Sequence, residues 1–151
     1  MNEEDAMGVA TPVVQGFFDE YARSRSAMDI DGITSQYADA CMLAGPGGAR
    51  VAEKQAVLAG FPQALELLKT EGHPSTTLAS LNEARVDEHY AMVRAQFVWR
   101  FEKAAAPPTD VKVDSTFILH TKDGVPKIVF QHEPEDFWQM LRTRGVLPAQ
   151  R

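Results

Sequence analysis

Two neighbouring side chains late in the chain, His132 and Glu133, are the clearest candidates for moving a proton. Histidine exchanges a proton close to neutral pH, so it is the usual general acid or base. In a regular strand the two cannot act as a pair, because adjacent side chains point to opposite faces. His132 would share its face with Ile128 and Phe130, which would let it look into an interior cavity. The alternative is a histidine at the end of a strand, half in solvent.

The other reactive residues give weaker indications. The four histidines lack the spacing of a metal site, so we expect neither a metal nor a cofactor. The single cysteine, Cys41, has no assignable base nearby and is most simply a small buried hydrophobe. Arg100 and Glu102 lie two apart on one strand face, with Asp114 available on the neighbouring strand. That face carries further polar residues, which is typical of a surface that contacts solvent or a second subunit.

Composition and charge restrict the class of protein and its partners. The 151 residues fit one domain, expected over residues 11–151 behind a loose tail of residues 1–10. A net charge of -6 without a cluster of Lys and Arg argues against nucleic acid or an anionic membrane as a partner. The first residues do not resemble a secretory signal, and no apolar run approaches membrane-spanning length. One cysteine allows no intramolecular disulfide, so we expect a cytoplasmic protein.

Residue spacing predicts three helices in the first half of the chain. Thr11 precedes a proline and marks the start of the first helix, whose apolar side chains recur every four residues and include Phe17 and Tyr21. Asp29 is placed to cap a short second helix. The third begins near Ala52. Its predicted buried face consists of Val57, Leu58, Phe61, Leu65 and Leu68.

The second half of the chain changes to the alternation of strands. A short strand at Ala40–Ala44 ends in the glycine-rich turn Gly45–Gly48. Four longer strands are predicted at Thr76–Asp87, Tyr90–Glu102, Val111–His120 and Lys127–Glu133, with a hairpin turn at Lys122–Gly124. A final short helix follows Pro134 and stops at Gly145.

This order of elements predicts an α+β fold around a cavity. Late strands joined by short turns indicate an antiparallel sheet, and the helices must cover one of its faces. A sheet of this length curves, so helices over its concave face leave a tapering cavity. The predicted lining includes Phe17, Tyr37, Phe97 and Trp99, which suit a small hydrophobic molecule.

The element order and one local motif resemble the nuclear transport factor 2-like superfamily. The motif is Tyr37-Ala38-Asp39, then a strand, then Gly45-Pro46, and the similar order extends from about Pro12 to Glu133. That superfamily includes ketosteroid isomerases, scytalone dehydratase, limonene epoxide hydrolase and SnoaL-like polyketide cyclases. The resemblance implies a cone-like curved antiparallel sheet, three N-terminal helices over its concave face and a homodimer through the outer face.

The stretch from Gln15 to Gly48 resembles the ketosteroid isomerase pattern without gaps. Tyr21 then falls where those enzymes keep an oxyanion-stabilising tyrosine, and Gly45 falls where they keep the aspartate base. The second acid of the family would fall at Thr116, which would then line the cavity, or, with a slip of two residues, at Asp114. Because glycine cannot accept a proton, the resemblance does not support isomerisation by that mechanism.

Three functional hypotheses remain from the sequence. The first is an enzyme that moves a proton on a small hydrophobic molecule, with Tyr21 polarising an oxygen, His132 carrying the proton and Asp114 assisting. The second is a binding protein with the same cavity and no chemistry, which the glycine at the base position favours. The third is a dimerisation module with a packed interior and an apolar patch around Phe137 and Trp138. Whether the protein is an enzyme stays open at this point, since Tyr21 can equally be a core aromatic residue.

Overall fold

The computed structural model describes residues 7–70, 72, 74–103, 106–121 and 124–148, without the side chains of residues 57 and 58. Several sequence predictions therefore lie outside the described residues. They are the first six residues of the predicted tail, the side chains of Val57 and Leu58 on the third helix, and the hairpin residues Lys122 and Asp123.

The described residues form four helices and seven strands. The helices are α1 (Pro12–Ser26), α2 (Ile30–Ser35), α3 (Lys54–Thr70) and α4 (Phe137–Thr143). The strands are β1 (Gly8–Val9), β2 (Tyr37–Gly45), β3 (Gly48–Glu53), β4 (Ser75–Arg85), β5 (Tyr90–Phe101), β6 (Thr109–His120) and β7 (Lys127–His132). The predicted α+β class and cone-like arrangement are confirmed.

All seven strands belong to one sheet in the order β1-β4-β5-β6-β7-β2-β3. Neighbours are antiparallel except β2 and β7, which run parallel. The long strands β5 and β6 pair along their whole length, from Tyr90 opposite His120 to Phe101 opposite Thr109. The parallel pair brings the C-terminal ends of β2 and β7 to the same edge of the interior, with Ala44 opposite His132.

The first two helices begin as the sequence indicates, with one difference. The Asp29 carboxylate accepts a hydrogen bond from the Gly32 N–H at 3.0 Å and caps α2. Thr11 occupies the cap position of α1, but its side chain accepts no bond from the helix. Instead its N–H and its hydroxyl both donate to Oε1 of Glu83, each at 2.9 Å. The Glu83 carboxylate thus connects the start of α1 to β4 by hydrogen bonds.

Two short strands differ from the sequence prediction. Gly8 and Val9 pair with Glu83 and Asn82, so these two residues lie in the sheet rather than in a loose tail. β3 pairs with β2 where the sequence predicted a turn and the start of the third helix, and α3 begins only at Lys54. Neither strand has enough apolar alternation to be recognised alone, since each is defined by its pairing with a longer neighbour.

Aromatic side chains of α1 pack against those of β5 and β6 in the core. Phe18 and Phe117 have no exposed surface, and their ring centroids lie 4.9 Å apart. Tyr21 stacks on Phe97 with a centroid separation of 4.8 Å. A second apolar cluster lies beneath α4 and includes the fully buried Leu141. The cavity is lined by residues from both clusters.

Candidate active site

A cavity of about 830 Å³ lies between the helices and the inner face of the sheet. Helices α1 and α3, the inner face of the sheet and the segment leading into α4 form its walls. Of the residues predicted to line it, Tyr37, Phe97 and Trp99 do so, together with Tyr21. A volume of this size holds a small organic molecule.

Phe17 and Thr116, also predicted to line the cavity, lie elsewhere. Phe17 packs edge-to-face against Phe18 at 5.0 Å, beside the aromatic core. Thr116 points to the outer face of the sheet, because the inward positions of β6 include Ser115 and Phe117 on either side of it. The inward residue nearest to the predicted acid positions is therefore Ser115, which lines the cavity.

Asp114 is on the outer face as well. Its carboxylate accepts a hydrogen bond from the Gln96 amide at 3.0 Å across the β5–β6 pair. On the same face Arg100 pairs with Asp110 at 2.9 Å rather than with Glu102. The structure thus does not bring Asp114 together with Tyr21, and the assisting role predicted for Asp114 has no geometric support.

An irregularity in β7 decides which of its side chains face inward. Leu119 and Ile118 are consecutive on β6, but their partners Ile128 and Phe130 are two apart on β7. The extra residue, Val129, is a β-bulge, and it reverses the alternation of the residues that follow. Ile128 is fully buried, whereas Phe130 lies on the outer side of the strand.

After the bulge, Gln131 and Glu133 face the cavity and His132 does not. Gln131 lies opposite the buried Phe117, and His132 lies opposite the outward-facing Thr116. Both Gln131 and Glu133 line the cavity. The expectation that His132 looks into the cavity is therefore wrong, because it assumed a regular strand.

A chain of hydrogen bonds connects Glu133 to helix α1. The Gln131 Nε2 donates to Oε1 of Glu133 at 2.9 Å, and the Gln131 Oε1 accepts from the Tyr37 hydroxyl at 2.7 Å. The Tyr37 oxygen in turn accepts from Nη2 of Arg25 at 3.1 Å. These bonds fix the orientation of the Gln131 amide, which then presents its N–H group to the carboxylate.

Arg25 is a buried, positively charged residue that lines the cavity together with Tyr37 and Gln131. Its side chain donates to the Gln36 amide oxygen at 2.7 Å and to the Tyr21 carbonyl at 3.3 Å. The guanidinium carbon lies 3.2 Å from the centroid of the Tyr21 ring, so a cation–π contact adds to these bonds. Arg25 follows Tyr21 by four residues, which puts both on one face of α1.

Burial controls the protonation of this group of side chains. It raises the pKa of the Glu133 carboxyl, and the hydrogen bond from Gln131 and the charge of Arg25 only partly oppose that effect. Burial also raises the pKa of the Tyr21 and Tyr37 hydroxyls. Both tyrosine hydroxyls are therefore protonated and uncharged at physiological pH. The pKa of the neighbouring Glu133 carboxyl is shifted upward, toward pH 7.

Glu133 lies next to Gly45, where the isomerase resemblance implied a missing base. The Glu133 N–H donates to the Ala44 carbonyl at 3.0 Å. A Cβ placed on Gly45 would lie 3.7 Å from the Glu133 carbonyl oxygen. Glu133 directly follows β7, so this carboxyl reaches the cavity from the end of that strand rather than from the neighbouring end of β2. Glu135 and Asp136, on the segment leading into α4, also line the cavity.

Two further properties of the described part of the chain bear on its chemistry. No group of three or more His, Cys, Asp or Glu side chains there is placed to hold a metal ion. None of its helices has the length and apolar character required to cross a membrane. The arrangement can hold a small molecule, donate hydrogen bonds to an oxygen and exchange a proton at Glu133.

The sequence held partial indications of the residues it missed. The spacing of Tyr21 and Arg25 was visible, but a basic residue in the last turn of a helix is usually a surface feature. The inward direction of Glu133 was missed because the bulge at Val129 cannot be recognised from composition. Gln131 was not singled out at all. Ser115 was one residue away from both predicted acid positions.

Known structures resemble this chain across most of its length. An NTF-2-like protein of unknown function from Shewanella oneidensis is 16% identical, with a TM-score of 0.62 over 82% of this chain and 97% of its own. Aln2 from a Streptomyces species is 14% identical, with a TM-score of 0.71 over 90% and 99%. The β subunit of benzoate 1,2-dioxygenase from Burkholderia mallei is 12% identical, with a TM-score of 0.69 over 85% and 92%.

Identities this low establish the fold and no activity. No protein-family model matches the sequence, and no curated protein matches it. The curved sheet, the helices over its concave face and the structural matches agree with the resemblance carried by Tyr37-Ala38-Asp39 and Gly45-Pro46. The chain has the fold of the nuclear transport factor 2-like superfamily.

Proposed function

We propose that the cavity binds a small, mostly apolar molecule and that the Glu133 carboxylate moves a proton on it. The observation that carries the proposal is the hydrogen-bonded chain from Arg25 through Tyr37 and Gln131 to Glu133 at the cavity wall. A general base works best when its pKa lies near the operating pH, and burial raises the pKa of Glu133 in that direction.

The proposed reaction class is proton transfer next to an oxygen, as in isomerisation, dehydration or cyclisation. Glu133 would take a proton from a carbon beside a carbonyl group, leaving negative charge on the carbonyl oxygen. A neutral tyrosine hydroxyl, from Tyr21 or Tyr37, would donate a hydrogen bond to that oxygen and stabilise it. The protonated Glu133 would then return the proton to another atom of the same molecule or to a departing hydroxyl.

The alternative is a cavity that binds a ligand without turnover. One observation favours it: the Tyr37 hydroxyl already donates to Gln131 and accepts from Arg25, so it has little capacity left for a substrate. In this case Glu133 and its partners would serve to recognise a ligand and to order the end of β7.

A simple ketone distinguishes these possibilities. 2-Tetralone, a bicyclic ketone with acidic C–H groups beside its carbonyl, is incubated with the protein in D₂O, and NMR follows exchange of those protons. We expect exchange above the buffer rate, reduced about hundredfold or more in Glu133→Gln. The matched control is His132→Gln, which alters the adjacent residue on the outer face and should leave exchange unchanged. Binding of tetralone without any accelerated exchange would support the ligand-binding alternative.

The proposed partner besides the ligand is a second copy of the chain. A row of apolar side chains crosses the outer face of the sheet in direct register: Val51, Met42, Phe130, Ile118 and Met92. Val51 is 69% and Met42 is 41% exposed, which is unusual for neighbouring apolar residues in a sheet. Native mass spectrometry should find a dimer that Met42→Lys weakens. Val13→Lys, an exposed change on α1, is the control.

A further inference from the structure

One polar group in the cavity wall has no partner. The Ser115 side chain is 4% exposed, and its Oγ makes no hydrogen bond to any described residue. A buried hydroxyl without a partner is unfavourable, so such groups are rare unless something outside the chain completes them. Because Ser115 lines the cavity, the missing partner would have to be in the cavity.

The sheet register, extended by one residue past the end of β7, puts Ser115 beside Glu133. Across β6 and β7, Phe117 lies opposite Gln131 and Thr116 lies opposite His132. The same register continued by one residue sets Ser115 opposite Glu133, and both side chains face inward. Directly opposed residues in an antiparallel pair have Cβ atoms about 5 Å apart. A ligand atom bonded to Ser115 would therefore lie close to the Glu133 carboxyl.

The remaining surroundings of Ser115 are apolar. Its partner on β5 is Ala95, and its inward neighbours along β6 are Val113 and Phe117. Arg25, Tyr37 and Gln131 are already bonded to one another. The Ser115 hydroxyl can both donate and accept, so it suits a hydroxyl or a carbonyl oxygen equally.

We propose that Ser115 binds an oxygen of the ligand and holds it next to Glu133, so that the ligand is an apolar body carrying a hydroxyl or carbonyl group. This rests on the proposed function, because it requires a molecule in the cavity. It adds a specificity-determining contact, since a molecule of the same shape without the oxygen would leave the hydroxyl unpaired.

Two probes of similar shape test the contact: 2-tetralone, which has a carbonyl oxygen, and tetralin, which has none. Calorimetry measures tetralone binding, and competition against tetralone measures tetralin binding. The wild-type protein should bind tetralone about tenfold more tightly than tetralin, as expected for one buried hydrogen bond. Ser115→Ala should remove that preference, and Ser115→Thr, which keeps a hydroxyl, should retain most of it.

A matched control comes from a second buried hydroxyl without a partner. Thr76 is 6% exposed and its Oγ1 is also unpaired, but it does not line the cavity. Thr76→Val should leave both affinities unchanged. In the empty protein Ser115→Ala should not lower the melting temperature, because it removes an unpaired polar group. A purely structural role for Ser115 predicts a lower melting temperature instead.

The outcomes separate the two proposals. If both probes bind but Ser115→Ala keeps the preference for tetralone, the contact with Ser115 is refuted and the cavity function stands. If wild-type protein binds both probes equally, the contact is refuted in the same way. If neither probe binds, the proposed ligand cavity itself is refuted.

Discussion

The two faces of β6 and β7 differ in what their polar residues can do. On the inner face, Ser115, Gln131 and Glu133 all line the cavity; Ser115 is buried, and Gln131 and Glu133 are half-buried. On the outer face, Asp114 and His132 point away from the cavity, and the Asp114 carboxylate accepts a hydrogen bond from the Gln96 amide. Adjacent residues of these strands therefore differ in whether they can act on a molecule in the cavity, because they face opposite sides of the sheet.

The largest expected difference between the faces concerns stability. Phe117 has no exposed surface, so Phe117→Ala should lower the free energy of unfolding by about 3–5 kcal/mol. Thr116→Ala, one residue away on the outer face, should change it by less than about 0.5 kcal/mol. Urea denaturation measures both. Similar losses for the two variants would mean that the proposed dimer contact extends over Thr116 and buries it.

The hydrogen-bonded chain on the inner face should contribute a smaller amount. Tyr37→Phe leaves the Gln131 amide oxygen without its donor and removes one hydrogen bond of Arg25, at a cost of about 1–3 kcal/mol in the free energy of unfolding. Tyr90→Phe is the control, because Tyr90 is 37% exposed and packs on His120. Denaturation of the two variants in parallel tests the chain. If Tyr37→Phe and Tyr90→Phe had the same free energy of unfolding, the Tyr37 hydroxyl would contribute nothing to stability.

Glu133 should make the stability of the protein depend on pH. Its pKa in the folded state is raised above the ordinary 4.5, so between those values the folded protein binds more protons than the unfolded chain. Stability must then fall as the pH rises from about 4.5 through the folded pKa. Glu133→Gln should remove this decline in a series of melting temperatures. A decline that persists unchanged in the variant would assign it to another group.

The smallest effect is expected at Asp114. Asp114→Asn keeps a side chain able to contact Gln96 on the outer face, so the free energy of unfolding should change by less than about 0.5 kcal/mol. Tetralone exchange should also be unchanged. A clear loss of exchange in this variant would contradict the assignment of chemistry to the inner face and would restore Asp114 as a candidate.

The sequence predicted most of the fold because long elements carry redundant patterns. α1 repeats its apolar residues every four positions, and β5 alternates over twelve residues, so single exceptions did not obscure either element. β1 and β3 are shorter and were missed, since their formation depends on hydrogen bonds to β4 and β2. Local spacing contains no information about such pairing.

The residues of the candidate site were harder to predict from local spacing than the elements that carry them. Tyr37, Phe97 and Trp99 line the cavity, whereas Phe17 and Thr116 do not, although they too lie on a helix and a strand. The faces of His132 and Glu133 were predicted the wrong way round, because one bulge interrupts β7. A site at a strand end depends on an exact count of residues, because a shift of one turns each side chain to the other face of the sheet.

The bulge at Val129 also affects how residues should be matched between this chain and its structural relatives. It acts as a one-residue insertion, so an alignment without a gap there pairs each later residue with a position that faces the other way. A relative with a regular last strand would then appear to share His132 at its cavity position, although the spatial equivalent is Glu133. Transfer of functional residues along this strand is reliable only when the gap is placed by structure.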